Sequence, residues 1–197
     1  MVSMTANEAR TMEFLIRNFS KNYNINQLAR ELKISPGGMY KILKKLGRQN
    51  FLIETGIGNN VFYKINYMSN EALDACKFAL TEKQATPYVR ALIKDMEALK
   101  DKTELAILFG SVLSKGREAR DIDILLVFDR KNLKDVESLI GKINTVKPKK
   151  IHAVYQTRED LIKNIRNRDK AILEEISTGI ILWNRDFLVV AIKDGQD

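Results

Sequence analysis

The stretch LFGSVLSKGREARDIDILLVF, residues 108–128, restricts the fold more than any other part of the chain. Leu105, Ala106, Ile107, Leu108 and Phe109 form a short apolar run closed by Gly110. A second run, Ile122, Ile124, Leu125, Leu126, Val127 and Phe128, is opened by two aspartates. Both runs have the length and composition of buried strands. Side chains on a strand alternate, so Asp121 and Asp123 at i and i+2 project to one face while Ile122 points to the other. Two like charges side by side are unfavourable unless water or a cation neutralises them, which points to a divalent metal. Gly110 lets a ligand approach the backbone, and Ser111 at the start of a helix supplies a hydroxyl and an amide where phosphate binds. A phosphate site beside a metal site suits a nucleotide.

Gly110-Ser111, a spacer with room for one short helix, and Asp121-Ile122-Asp123 followed by Ile-Leu-Leu-Val resemble the signature of the polymerase-beta-like nucleotidyltransferases, in their minimal branch. The resemblance spans roughly residues 104–192. It implies that Asp121 and Asp123 hold Mg2+, that Gly110 and Ser111 cradle a nucleoside triphosphate, and that a third carboxylate on the next strand completes the metal site and acts as base. The chain departs from the family twice. A basic segment of the type Arg-Ala-Arg-Gly often follows Gly-Ser in the family, whereas here Val112, Leu113, Ser114, Lys115 and Gly116 leave Lys115 as the phosphate partner. In the strand candidate 149–155, the place of the third acid falls at about His152, the only histidine of the chain. Imidazole is a poor Mg2+ ligand but can bind a transition metal or act as a base. Two readings of His152 therefore stand: a catalytic ligand or base, and a partly buried strand residue in a site that has lost its third acid. Glu159 and Asp160 lie just beyond this strand and are further candidates for the missing acid.

Charge separates the chain into two parts. Residues 1–68 hold 10 Lys/Arg against 4 Asp/Glu, so +6 of the total +8 lies in the first third. Such polarisation suits a polyanionic partner, and nucleic acid is favoured over membrane because no basic helix there has a free apolar face. An incidental excess of solvated charge is the alternative. Local patterns favour the first reading. Met12, Leu15, Ile16 and Phe19 recur at helical spacing over residues 7–19, and Leu28, Ala29 and Leu32 do so over 26–32. Ser35-Pro36 is a cap followed by proline at the first helical position, opening a third helix that runs to about Gly47. Its apolar stripe is Met39, Ile42, Leu43 and Leu46, with Tyr40, Lys41, Lys44 and Lys45 on the polar side. Strand-like runs at 51–55 and 61–66 follow, joined by a turn-rich tip at 56–60.

Three helices and a hairpin resemble the winged helix-turn-helix family over roughly residues 5–67. The resemblance implies that the third helix enters the major groove and the wing touches phosphate or minor groove. By position, Ser35, Gly37, Gly38, Tyr40, Lys41 and Lys44 then face duplex DNA, with Asn59, Asn60 and Lys64 in or near the wing. Gly37 and Gly38 permit close backbone approach to a phosphate.

The expected architecture is α+β in three parts. These are a winged helix-turn-helix over 1–68, a helical linker or dimerisation segment over 69–103, and a mixed-sheet nucleotidyltransferase-like domain over 104–197. Helical stripes at 70–80 and 86–99 supply the middle segment, and a homodimer reading two half-sites is one use for them. Cys76, the only cysteine, is expected as a small buried residue. Trp183 is expected in a core or interface, and Arg158, Lys163, Arg166, Arg168 and Lys170 on a solvated helix face. No run of about 18 apolar residues and no basic-then-apolar N-terminus is present, so the expected location is the cytoplasm, away from membranes. The function expected is a DNA-binding regulator whose second domain binds nucleotide and Mg2+. Two alternatives remain open: an active nucleotidyltransferase acting on a nucleic acid or protein, and a partner-binding module of the toxin-antitoxin kind.

Overall fold

The computed structural model describes residues 3–80 and 86–196. The chain is α+β and divides into two compact units, Met1–Thr81 and Glu82–Asp197.

In the first unit, α1 (Ala6–Arg17) opens with a capping box in which the Thr5 hydroxyl accepts from the Glu8 amide and Glu8 accepts from the Thr5 amide. It buries Met12, Leu15 and Ile16. The two-residue β1 (Tyr23–Asn24) leads into α2 (Ile25–Leu32), for which Asn24 is the N-cap. The helix stops at Lys33, which takes a left-handed conformation at φ 54. Ser35 then caps α3 (Pro36–Arg48), with Pro36 at the first helical position as the sequence indicates. The hairpin of β2 (Leu52–Ile57) and β3 (Asn60–Ile65) follows, and β1 pairs with the other edge of β3 to give the order β1-β3-β2. This is the arrangement of a winged helix. Its strands run further into the tip than the 51–55 and 61–66 spans read from sequence. Ile57 pairs with Asn60, leaving a Gly58-Asn59 turn in which Gly58 has φ +58. That positive φ is why glycine stands there.

The helix α4 (Asn70–Ala79) packs on α1 and buries Ala72, Leu73, Ala75 and Cys76. Burial pushes the Cys76 thiol up to about 12, which leaves it a small apolar residue at neutral pH. The segment 69–103 is therefore divided: α4 belongs to the first unit, while α5 (Pro87–Asp95) and the 3-10 turn Glu97–Lys102 belong to the second. Residues 81–85 lie outside the described residues.

The second unit continues with β4 (Leu105–Phe109), the single-turn α6 (Val112–Lys115), β5 (Ile122–Val127), α7 (Leu133–Val146), β6 (Ile151–Gln156), α8 (Arg158–Arg166), α9 (Lys170–Thr178), β7 (Ile180–Trp183) and α10 (Arg185–Asp194). The sheet order is β6-β5-β4-β7, with β5 and β6 parallel and the other pairs antiparallel, so the sheet is mixed. The near-continuous apolar runs of β4 and β5 reflect burial: Leu105 to Leu108 and Ile124 to Val127 are fully inaccessible. Trp183 is in the core, and its indole N–H donates to Thr103 Oγ1 at 3.1 Å. The closing run 187–192, ambiguous as sequence, lies in α10 and buries Leu188, Val189, Ala191 and Ile192.

Candidate functional site

In the first unit the candidate surface is the outer side of α3. Met39, Leu43 and Leu46 turn inward, and Ile42 is half-buried. Ser35, Gly37, Tyr40, Lys41 and Lys44 are exposed, and Gly38 is half-buried. Lys44 Nζ lies 6.0 Å from the centroid of the Tyr40 ring, so these two side chains share one patch. Lys45 does not share it. Its ammonium reaches both carboxylate oxygens of Glu8 at 2.9 Å, tying α3 to α1. Burial alone would raise the Glu8 pKa, but the Lys45 ion pair and the Thr5 hydrogen bonds together hold it below the ordinary value. Gly38 has a structural cause as well. A Cβ there would stand 3.0 Å from Ser35 Oγ, the oxygen that accepts from the Gly38 amide, whereas Gly37 faces open space. At the wing, Asn59 and Asn60 are exposed, Lys64 is half-buried, and the exposed aliphatics Ile57 and Val61 flank the tip.

In the second unit β4 and β5 bring the Gly-Ser turn and the aspartates together. Phe109 pairs with Asp123 across the antiparallel ladder, so Gly110 leaves the sheet beside the Asp123 carboxylate. Gly110 has φ +77, and a Cβ on it would stand 2.3 Å from Asp123 Oδ2. Both the conformation and the carboxylate require glycine. Asp121 stands one residue before β5, beside Asp123. Burial, then the charge of Asp121, raises the Asp123 pKa, with His152 working in the opposite direction.

His152 pairs with Asp123 in the parallel register of β5 and β6. Its Nδ1 is 3.4 Å from Asp121 Oδ2, and its side chain is 61% exposed, so it is not the partly buried residue that one reading of the sequence gave. Glu159 and Asp160 are elsewhere. They open α8 beyond the far end of the six-residue β6, about 20 Å along the strand at some 3.3 Å per residue. Asp160 is also engaged in the capping box with Thr157.

The turn after Gly110 is tighter than the sequence suggests. Ser111 makes no side-chain cap bond and α6 is only four residues long, so there is little helix dipole to aim at an anion. Lys115 is exposed at the end of α6. The loop from α6 to β5 is held by Lys149, whose ammonium donates to the carbonyls of Gly116, Arg117 and Ala119 and lies 5.5 Å from the Tyr88 ring centroid. Arg158, Lys163, Arg166, Arg168 and Lys170 are all exposed, as expected of a solvated face, and some of them also bond within the unit. Arg158 pairs with Asp194 at 3.3 Å, and Arg166 donates to the Asp194 carbonyl.

One acid escaped the sequence reading. Glu175 on α9 is 8% exposed, and its Oε2 has no hydrogen-bond partner among the described residues. It lines a cavity of about 580 Å3 shared with Phe109, Gly110 and Ser111. Burial first, then the charges of Asp169, Asp123 and Glu174, push its pKa to about 7. The signal was present. Glu175 falls three residues after Ile172 and one before Ile176, on the apolar stripe of its own helix.

Whether Mg2+ suits this site follows from its donors. Asp121 and Asp123 offer hard oxygens, while His152 offers nitrogen. Among the described residues no group of three or more His, Cys, Asp or Glu side chains could hold a metal ion alone. The pair fits a Mg2+ that arrives with phosphate and water ligands, which is how this ion is commonly held, better than a resident ion in an all-protein cage.

Comparison with known proteins gives one family match. Residues 92–187 match the model of the family "Polymerase beta, Nucleotidyltransferase", a span that contains Gly110, Ser111, Asp121, Asp123, His152 and Glu175. No curated protein matches the chain. Similar solved structures include a mutant of ZitR from Lactococcus lactis at 23% identity and TM-score 0.35, covering 52% of this chain and 64% of that one. Wild-type ZitR in complex with DNA gives 22% identity and TM-score 0.33, with the same coverage. A structure of ZitR described as a zinc-responsive MarR family member gives 18% identity and TM-score 0.32, covering 51% of this chain and 76% of that one. The chain thus spans less than two thirds of the first of these ZitR structures.

Proposed function

We propose that the protein is a DNA-binding regulator whose second unit binds a nucleotide together with Mg2+. The DNA half is carried by one observation: α3 of a winged helix presents Tyr40, Lys41 and Lys44 outward, while the exposed Lys45 is already paired with Glu8 of α1. Cations left on the exposed face of such a helix neutralise phosphates, and the +6 charge of residues 1–68 supports the same partner. Ser35 and Gly37 at the start of α3 face the backbone of the duplex, and Asn59, Asn60 and Lys64 the phosphates beside the wing.

The nucleotide half is supported by the contact between Gly110 and Asp123. A glycine pressed on a carboxylate leaves backbone and metal ligand on one small surface, where a phosphate and its Mg2+ are bound together. Asp121 and Asp123 hold the ion, Gly110 and Ser111 line the phosphate, and Lys115 reaches it from α6. Mg2+ supplies charge neutralisation there. Binding rather than turnover is favoured because the strand position opposite Asp123 holds His152, which offers nitrogen where Mg2+ chemistry uses oxygen. On this reading Asp121 and Asp123 act as binding residues, and a catalytic part for His152 belongs to the alternative of an active transferase.

Calorimetric titration with each nucleoside triphosphate, with and without Mg2+, tests the nucleotide half. The Asp121→Asn/Asp123→Asn double variant is expected to lose Mg2+-dependent binding while keeping or gaining thermal stability, since a like-charge repulsion is removed. Nucleotide binding equal to that of the wild type would remove the metal-site reading.

A further inference from the structure

The cavity between the Gly-Ser turn and α9 has a chemistry of its own. Gly179 ends α9 directly on β4, where a Cβ would stand 2.4 Å from Ile107 Cγ2, and this close approach seats Glu175 in the cavity wall. Leu113 and Ala171 give the wall aliphatic patches, and Ser111 and Ser114 add hydroxyls. Among the described residues its charged lining consists of Glu174, which is exposed, and Glu175, which is buried. The charges acting on Glu175 are all negative, those of Asp169, Asp123 and Glu174.

We propose that this cavity binds a ligand through a cationic amine, held by the carboxylate of Glu175. A buried carboxyl with an unpaired oxygen carries a large desolvation cost, which a hydrogen-bonding cation offsets. The shift of Glu175 to about 7 has the same origin, a proton standing in for the cation its surroundings lack. The terminal torsion of a glutamate is broad, so the carboxylate can present one oxygen to a ligand in the cavity while its charge is shared by both. A phosphate is the wrong guest for the α9 wall of the cavity, where Glu174 and Glu175 repel it. The amine site therefore adjoins the proposed nucleotide site and shares the Gly110-Ser111 turn with it. Only this adjacency rests on the nucleotide reading; the amine site stands on Glu175 and the lining of the cavity.

Calorimetry on the full chain tests the idea with putrescine as the probe and the uncharged diol of the same carbon length as control. Putrescine is expected to bind and the diol not to. Glu175→Gln, which keeps the shape and removes the charge, is expected to weaken putrescine about tenfold or more, and Glu174→Gln at the exposed rim to weaken it less. Thermal melting of Glu175→Gln confirms that the variant is folded. Binding of the diol as strong as that of putrescine, or putrescine affinity unchanged in Glu175→Gln, would overturn the proposal. So would Glu175-dependent binding of Mg2+ alone, which would make the cavity a metal site. A separate titration with Mg2+ and ATP on the wild type distinguishes the two ideas: its failure removes the nucleotide reading and leaves the amine result standing.

Discussion

At the scale of single residues, two positions in the second unit bear constraints that can be measured. Gly110 combines φ +77 with a Cβ position 2.3 Å from Asp123 Oδ2, so Gly110→Ala forces either the turn or the aspartate to move. A destabilisation of about 1–3 kcal/mol is expected from denaturant unfolding, together with weaker nucleotide binding as Asp123 is displaced. Glu175 imposes a pH dependence whose sign is fixed. Its folded pKa of about 7 lies above the ordinary 4.5, so the unfolded chain releases this proton first as pH rises. The stability linked to the neutral carboxyl is complete below pH 4.5 and is lost as pH rises through 7, by a total on the order of 3 kcal/mol. The melting temperature of the wild type should fall across that window, and Glu175→Gln should remove this part of the slope. An unaltered slope in the variant would mean that Glu175 titrates normally. Asp121 and Asp123 were legible as a pair because alternation on a strand is rigid. Glu175 carried a weaker signal, its place on the apolar stripe of α9, and which surface that stripe meets is set by the sheet rather than by the helix.

At the scale of elements, α3 shows what spacing can and cannot separate. The Ser35 cap and Pro36 fix its start, and Met39, Leu43 and Leu46 fix its buried face. Yet Lys41, Lys44 and Lys45 look alike as sequence, and only the neighbouring α1 sets Lys45 apart by offering Glu8. Substitution should divide them by mechanism. Lys41→Ala and Lys44→Ala are each expected to weaken duplex DNA binding across sequences and to lower the salt slope by about one unit, with little change in melting temperature. Lys45→Ala removes an ion pair whose ammonium is half exposed while Glu8 keeps its bond from the Thr5 amide, so it is expected to lower stability by about 0.5–1 kcal/mol. An equal loss of DNA affinity in all three without loss of stability in Lys45→Ala would contradict this division. The same dependence on neighbours hid β1, which is two residues long and exists only through its pairing with β3, and extended β2 and β3 into a tip that reads as a loop. The parallel pairing of β5 with β6 was not read from the sequence beyond a mixed sheet, although α7 between them is the long connection that parallel strands require.

At the scale of the whole molecule, the charge and the packing divide the chain at different places. The net +6 is complete by residue 68, but the first compact unit runs to Thr81 because α4 packs on α1. A stripe at helical spacing announces an amphipathic helix without saying which core receives it, and so 69–103 read as one segment although it serves two units. The division gives a test in which fold and function separate. A fragment of residues 1–81 retains α4, with Ala72, Leu73, Ala75 and Cys76 still covered, and should unfold in one cooperative transition. A fragment of residues 1–68 exposes the face of α1 that α4 covers. Burial of a single leucine is worth about 1.5–3 kcal/mol, so the loss of Leu73 and its neighbours removes a large share of the stability of a unit this small. The shorter fragment is therefore expected to melt at much lower temperature or to be unfolded, even though it holds every residue assigned to DNA. The longer fragment should bind duplex DNA with the salt slope of the full chain, since the cations on α3 and in the wing all lie within it. A full chain with a much steeper salt slope than the 1–81 fragment would place DNA contacts in the second unit, and the basic face of α8 would then be the first surface to mutate.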